Sequence, residues 1–136
     1  LAVRMERHCD NARRVVGFLS EHPRVEHVLW PGIPDHPGHE IAARQMRDFG
    51  GMVSFLVASE EEAVELVART SVWTLAESLG GVESLIEHPA RMTHASTAAG
   101  PFAAPRNLIR LSVGIESADD LVQDLAQALA ATPARA

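Results

Sequence analysis

Along the first 21 positions apolar residues recur at helical spacing: Leu1, Met5, Cys9, Ala12, Val16 and Leu19 line one stripe, charges separate them, and Pro23 ends the run. This predicts one long amphipathic helix over 1–21. Its first residue already belongs to the stripe and no capping residue precedes it, so the helix is expected to begin further upstream, in a longer protein of which this chain is a piece. Val25 to Trp30 (VEHVLW), closed by Pro31-Gly32, reads as a short strand, and His36 to Arg47, entered through Pro34 and Pro37, as a second helix. Met52 to Ala58 (MVSFLVA) is apolar on both faces and is expected to be a central strand. Ser59 stands at a helix N-cap position, with Glu62 three residues on to complete a capping box, and Ala63, Leu66 and Val67 carry that helix to about Arg69. The triplet Glu60-Glu61-Glu62 suits the positive end of this helix better than it suits a metal.

The second half of the chain is less regular. Ser71 to Leu75 (SVWTL) reads as a buried strand, yet it runs into AESLGGVESL, and continued alternation would put Glu77 on the same face as Trp73 and Leu75. Either the strand has ended by Ala76 in a polar turn, or a charge is held there as part of a site. Val82 to Glu87 is expected to be a short helical segment stopped by Pro89, and Ala95 to Pro105 a loop of small residues. Asn107 to Ile115 alternates cleanly, with Ile109, Leu111 and Val113 on one face and Leu108, Arg110 and Ser112 on the other. A closing helix from a Ser117 cap carries Leu121, Val122, Leu125 and Leu129 before the tail frays at TPARA. Helices alternating with about four strands are compatible with a parallel α/β sheet or an antiparallel α+β one. No repeat or linker divides the chain.

Composition narrows the chemistry. With 136 residues, 46% hydrophobic and 22% charged, the chain has the size and make-up of one globular domain, and no apolar run approaches the ~18 residues of a membrane span. A formal charge of −6 with dispersed arginines disfavours nucleic acid or anionic membranes as partners. All 12 basic residues are arginine, and tyrosine is absent too, so this chain offers no lysine for an imine and no phenol for proton transfer. The single Cys9 lies on the apolar stripe and is expected to pack; together with the lack of a continuous apolar leader it suggests a cytoplasmic setting.

Among the seven histidines, His36-Pro-Gly-His39-Glu40 is the densest group, but its spacing is wrong for a zinc motif and no metal site is expected. His88 and His94 flank Pro89 and are read as hydrogen-bonding to loop backbone. Arg110 sits mid-strand opposite the apolar face, where arginines are commonly solvated. Its planar fork nevertheless matches a carboxylate, and Glu77-Ser78 lie near it if the two strands neighbour one another.

Four ordered stretches, WPGIPDHPGHEIA (30–42), RQMRDFGGMVSF (44–55), WTLAESLGGVESLIEHPARMTHAS (73–96) and NLIRLSVGIESADDL (107–121), closely resemble the C-terminal domain of the pyridoxal-phosphate-dependent transsulfuration enzymes, the cystathionine γ-lyase and γ-synthase group. The resemblance covers nearly the whole chain. It implies an α+β fold, the small domain of a fold-type-I subunit, with about four mainly antiparallel strands and helices packed on one side. Residues 1–21 would link from a missing upstream domain that holds the pyridoxal phosphate, 22–131 would form the substrate-side domain, and 132–136 a frayed tail. The cofactor's lysine, its stacking tyrosine and its aspartate lie upstream in the family, which implies that this chain carries no catalytic residue and holds no cofactor covalently.

By the same resemblance, Arg110 holds the α-carboxylate of a small amino-acid substrate, Ser78 and the adjoining backbone of Leu79 help seat that end, and Glu77 faces the substrate's distal part or amino group. Gly80-Gly81 would let the backbone pass close to the ligand. Glu77 and Met92-Thr93-His94 resemble the γ-lyases and γ-synthases more than the methionine γ-lyases or homoserine sulfhydrylases, and the segment 97–107 is shorter than in the family. A homotetramer is implied for the full-length protein. The competing class is a non-enzymatic interaction or dimerisation domain that kept the fold, and continuation of the reading frame upstream distinguishes the two.

Overall fold

The computed structural model describes residues 1–93, 100, 101 and 103–133. In chain order they form α1 (Ala2–Glu21), β1 (His27–Leu29), α2 (His39–Gln45), β2 (Met52–Leu56), α3 (Glu60–Val67), β3 (Thr74–Leu75), β4 (Leu85–Glu87), β5 (Leu108–Ser112) and α4 (Ala118–Ala131). The strands make a single sheet in the order β1-β2-β5-β4-β3. Pairing is antiparallel between β1 and β2, β2 and β5, and β5 and β4, and parallel between β4 and β3. The expected α+β class holds. The expected sheet of four strands does not: there are five, and the sheet is mixed.

Register explains which face is covered. Val28 opposes Phe55, Val53 and Ile86 both oppose Leu111, and Phe55 opposes Ile109, so one face is a continuous apolar surface. These side chains are buried together with Val15, Val16 and Leu19 of α1, Leu66 of α3 and Leu121, Leu125 and Leu129 of α4. Each large aliphatic side chain so buried contributes roughly 1.5–3 kcal/mol against the entropy of ordering the chain. The other face alternates with it and carries Ser54, Arg110 and Glu87 side by side across β2, β5 and β4. Cys9 packs in the interior as expected, whereas Leu1 and Met5, on the same helical stripe, are exposed.

Three expectations need correction. Val82 to Glu87 is not helical; its second half is β4, because Leu85, Ile86 and Glu87 find partners along β5 that no helix would offer. The strand expected from Ser71 is reduced to Thr74 and Leu75, both exposed at the sheet edge, because the N–H groups of Ser71, Val72 and Trp73 all donate to the carboxylate of Asp124 on α4 instead of to a strand. Ser59 does cap α3, accepting from the Glu62 N–H at 3.2 Å, but Glu62 leaves the capping box to meet the Arg24 guanidinium at 2.5 Å. Arg24 also donates to the carbonyls of Leu129 and Thr132, where α4 ends with no basic residue of its own in the last turn. Ser117 occupies the N-cap of α4 without a side-chain cap bond. No helix is long and apolar enough to cross a membrane among the described residues.

Candidate functional site

Arg110 lies at the middle of β5, between Ser54 on β2 and Glu87 on β4. Its side chain is 19% exposed, so it is not a solvated strand residue. Nη1 lies 2.9 Å from Glu87 Oε1, and Glu87 is 1% exposed. Nη2 donates to the carbonyl of Glu77 at 2.9 Å and, more weakly, to that of Ser78 at 3.4 Å. Among the described residues these are the guanidinium's contacts, and they leave Nε–H with no acceptor. A guanidinium has five N–H donors in one plane, and holding its two ends directs the remaining donors as a rigid fork.

The Glu77–Ser78 segment therefore does meet Arg110, but through backbone oxygens. The side chains of Glu77, Ser78 and Leu79 are exposed. Glu77 leaves the strand alternation because β3 has already stopped: the Ala76 N–H makes the last bond across to Ile86. Leu79 contributes its side chain to an apolar cleft of about 390 Å³ whose wall also includes Met5, Met46, Phe49, Met52 and Ser112.

What holds this connection in place is a set of bonds from outside it. On the entering side, burial pushes the Asp124 carboxyl up, but the N–H donors of Trp73, Ser71 and Val72, with the Gln127 amide, outweigh it and hold the group below its ordinary value. In the middle, Ser112 Oγ accepts the Gly80 N–H at 2.8 Å, and Gly80 has φ +76°, a left-handed conformation that favours glycine. On the leaving side, Glu116 takes both the N–H and the hydroxyl of Ser84, and the Gly114 N–H donates to Ser84 Oγ. Gly114 has no room for a side chain, since an added Cβ would lie 2.3 Å from the Val82 carbonyl oxygen.

Glu87, paired with Arg110, and Asp124, bonded to the backbone of Ser71 to Trp73, are neighbours of the candidate site that the amino-acid pattern did not single out. Asp124 stands among the apolar positions of α4 and looks like any helical charge. Glu87 looked the same while its segment was read as a helix; the β-prone run Leu85-Ile86 directly before it was the available signal. Three of the histidines meet loop backbone. His39 Nδ1 lies 2.8 Å from the Pro31 carbonyl, His36 Nδ1 accepts the Gly38 N–H, and buried His88 places Nε2 2.6 Å from the Arg106 carbonyl. His94 and most of the loop expected at 95–105 lie outside the described residues, as do the last three residues of the tail. No cluster of three histidine, cysteine or acidic side chains suited to a metal occurs among the described residues.

Comparison with known proteins gives these features a context. Over 130 residues the chain is 62% identical to a cystathionine γ-synthase of Mycobacterium tuberculosis, covering 95% of this chain and 34% of the relative. It is 54% identical over 136 residues to a cystathionine β-lyase of Coxiella burnetii, again covering 95% of this chain and 34% of that protein. Its structure superposes with a TM-score of 0.93 on the crystal structure of metB from Corynebacterium glutamicum, at 55% identity, covering 95% of this chain and 34% of that one. The chain thus spans about a third of the length of the relatives it matches. A family model described as "Cys/Met metabolism PLP-dependent enzyme" matches residues 1–130. The chain belongs to the family of pyridoxal-phosphate-dependent enzymes of cysteine and methionine metabolism.

Proposed function

We propose that this chain is the C-terminal, substrate-side part of a longer transsulfuration enzyme of the cystathionine γ-synthase or γ-lyase type, and that it holds the α-carboxylate of a sulfur amino acid or activated homoserine. The observation that carries this reading is Arg110: a largely buried guanidinium, ion-paired at Nη1 with Glu87 and bonded at Nη2 to two carbonyls, with its Nε–H unused among the described residues. A carboxylate brought to that edge meets a donor whose orientation is already fixed, in surroundings that weaken charge less than water does. The 62% identity to a cystathionine γ-synthase supports the substrate class. Glu77, exposed beside this anchor, is free to face the distal part of the same substrate.

The residues of this chain do not fit the covalent end of the family's cofactor. There is no lysine to form an imine with the pyridoxal aldehyde and no tyrosine to stack on its ring. The reacting centre belongs, in this reading, to the part of the protein upstream, and this chain's task is binding and orientation. The test is Arg110→Lys in the full-length enzyme, which keeps a cation opposite Glu87 but loses the planar fork. It should lower kcat/KM by about 30- to 1,000-fold, the equivalent of roughly 2–4 kcal/mol of transition-state binding. Retention of near wild-type efficiency would remove Arg110 from the site.

A further inference from the structure

A buried glutamate is an unexpected residue at the end of a strand whose other members are leucine and isoleucine. Glu87 directly opposes Arg110 in the β4–β5 register, is 1% exposed, forms an ion pair through Oε1 with Arg110 Nη1 at 2.9 Å, and accepts the Thr93 hydroxyl at the same oxygen at 3.1 Å. Its other oxygen, Oε2, has no hydrogen-bond partner among the described residues. Buried ion pairs add little net stability compared with apolar packing, and an unpartnered buried oxygen makes this one poorer still. Stability alone therefore does not account for it.

We propose that Glu87 is the positioning residue of the carboxylate anchor: it fixes the plane of the Arg110 guanidinium so that the Nε–H edge is presented to the substrate. This rests on the reading of Arg110 given above and adds to it a residue that never touches the ligand. The mechanics follow from the contacts. Glu77 and Ser78 hold Nη2 from the loop side, but a single contact region leaves a planar group free to pivot. Glu87 supplies the second point, and the location of that point is set by strand register and by Thr93. What matters is then the place of the paired oxygen more than the charge of the group that carries it.

That distinction gives the experiment. In the full-length protein, calorimetry measures binding of L-norleucine, an amino acid without a γ leaving group, and of pentylamine, the same molecule without its carboxylate. Glu87→Asp keeps the charge and withdraws the acceptor by one methylene, and should weaken norleucine binding by about tenfold or more, given that ~1 Å of misplacement can cost ~100-fold in a positioned site. Glu87→Gln keeps an oxygen in that place, able to accept from Thr93, and should stay within about threefold of wild type. Pentylamine binding should move with neither. Thr93→Val, which removes only the hydroxyl, should weaken norleucine in the same direction by a smaller factor, and it decides the matter should both Glu87 variants fail to fold. The proposal is overturned if Glu87→Gln weakens norleucine as much as Glu87→Asp does, or if every one of these variants binds like wild type while Arg110→Lys does not. If Arg110→Lys itself leaves norleucine binding unchanged, the anchor reading fails and Glu87 with it.

Discussion

Replacing Arg110 by alanine in this chain should destabilise the fold, although its alternation with Ile109 and Leu111 marks it as a residue off the apolar face. Surface substitutions usually stay within about 0.5 kcal/mol. Arg110 is not in that class, because its side chain is 19% exposed and its partner Glu87 1% exposed. Removing the guanidinium strands a carboxylate whose Oε2 already lacks a partner among the described residues, and frees the carbonyls of Glu77 and Ser78. Breaking a buried pair from one side costs about 3–5 kcal/mol, and the residual exposure of Arg110 puts the expected loss at the lower end, about 3 kcal/mol. For denaturation slopes of about 1–3 kcal/mol per molar urea, that moves the midpoint down by roughly 1–3 M. Urea titrations of wild type, Arg110→Leu, Glu87→Leu and the double variant Arg110→Leu/Glu87→Leu measure the pair as a cycle, with Arg110→Ala titrated beside them. The double variant should recover most of the loss, since an apolar pair leaves no charge uncompensated. A single-variant loss within 0.5 kcal/mol of zero, or a double variant no better than the worse single one, would refute the reasoning.

Three further outcomes are expected. Asp124→Asn should cost about 1.5–3 kcal/mol at neutral pH by weakening the charged acceptor of three backbone N–H groups; because the Asp124 carboxyl is held below its ordinary value of 3.8, its contribution is present above that value and lost as pH falls through the lower folded-state one, so the variant should show a flatter acid limb in pH-dependent melts. Incubating this chain with pyridoxal phosphate and borohydride should add no mass once the terminal amine is acetylated, because the chain has no lysine; an adduct under those conditions would contradict this. Glu77→Val in the full-length enzyme should shift relative kcat/KM toward methionine over cystathionine by about tenfold while the melting temperature holds, since Glu77 is exposed; unchanged preference would take Glu77 out of the site.

The amino-acid sequence by itself determined the helices, the strands with clean alternation, the buried packing of Cys9, the cap at Ser59 and the candidacy of Arg110 with Glu77-Ser78. All of these are written in neighbouring residues: a stripe at helical spacing, a hydroxyl before an acidic turn, an arginine between two apolar positions. Only the tertiary structure decided what depends on residues far apart in the chain. Ser84-Leu85-Ile86-Glu87 is short enough to satisfy either period, and pairing with β5, more than twenty residues later, made its end a strand. The strand beginning at Ser71 was cut short because Asp124, on the last helix, offered its N–H groups a charged acceptor that no sheet neighbour could match. Glu62 left the local capping box for the same reason, since the Arg24 guanidinium competes better than a backbone N–H for a buried carboxylate. Glu87 became the partner of Arg110 only through strand register, and register is set by the whole buried face of the sheet, not by the residues that meet there.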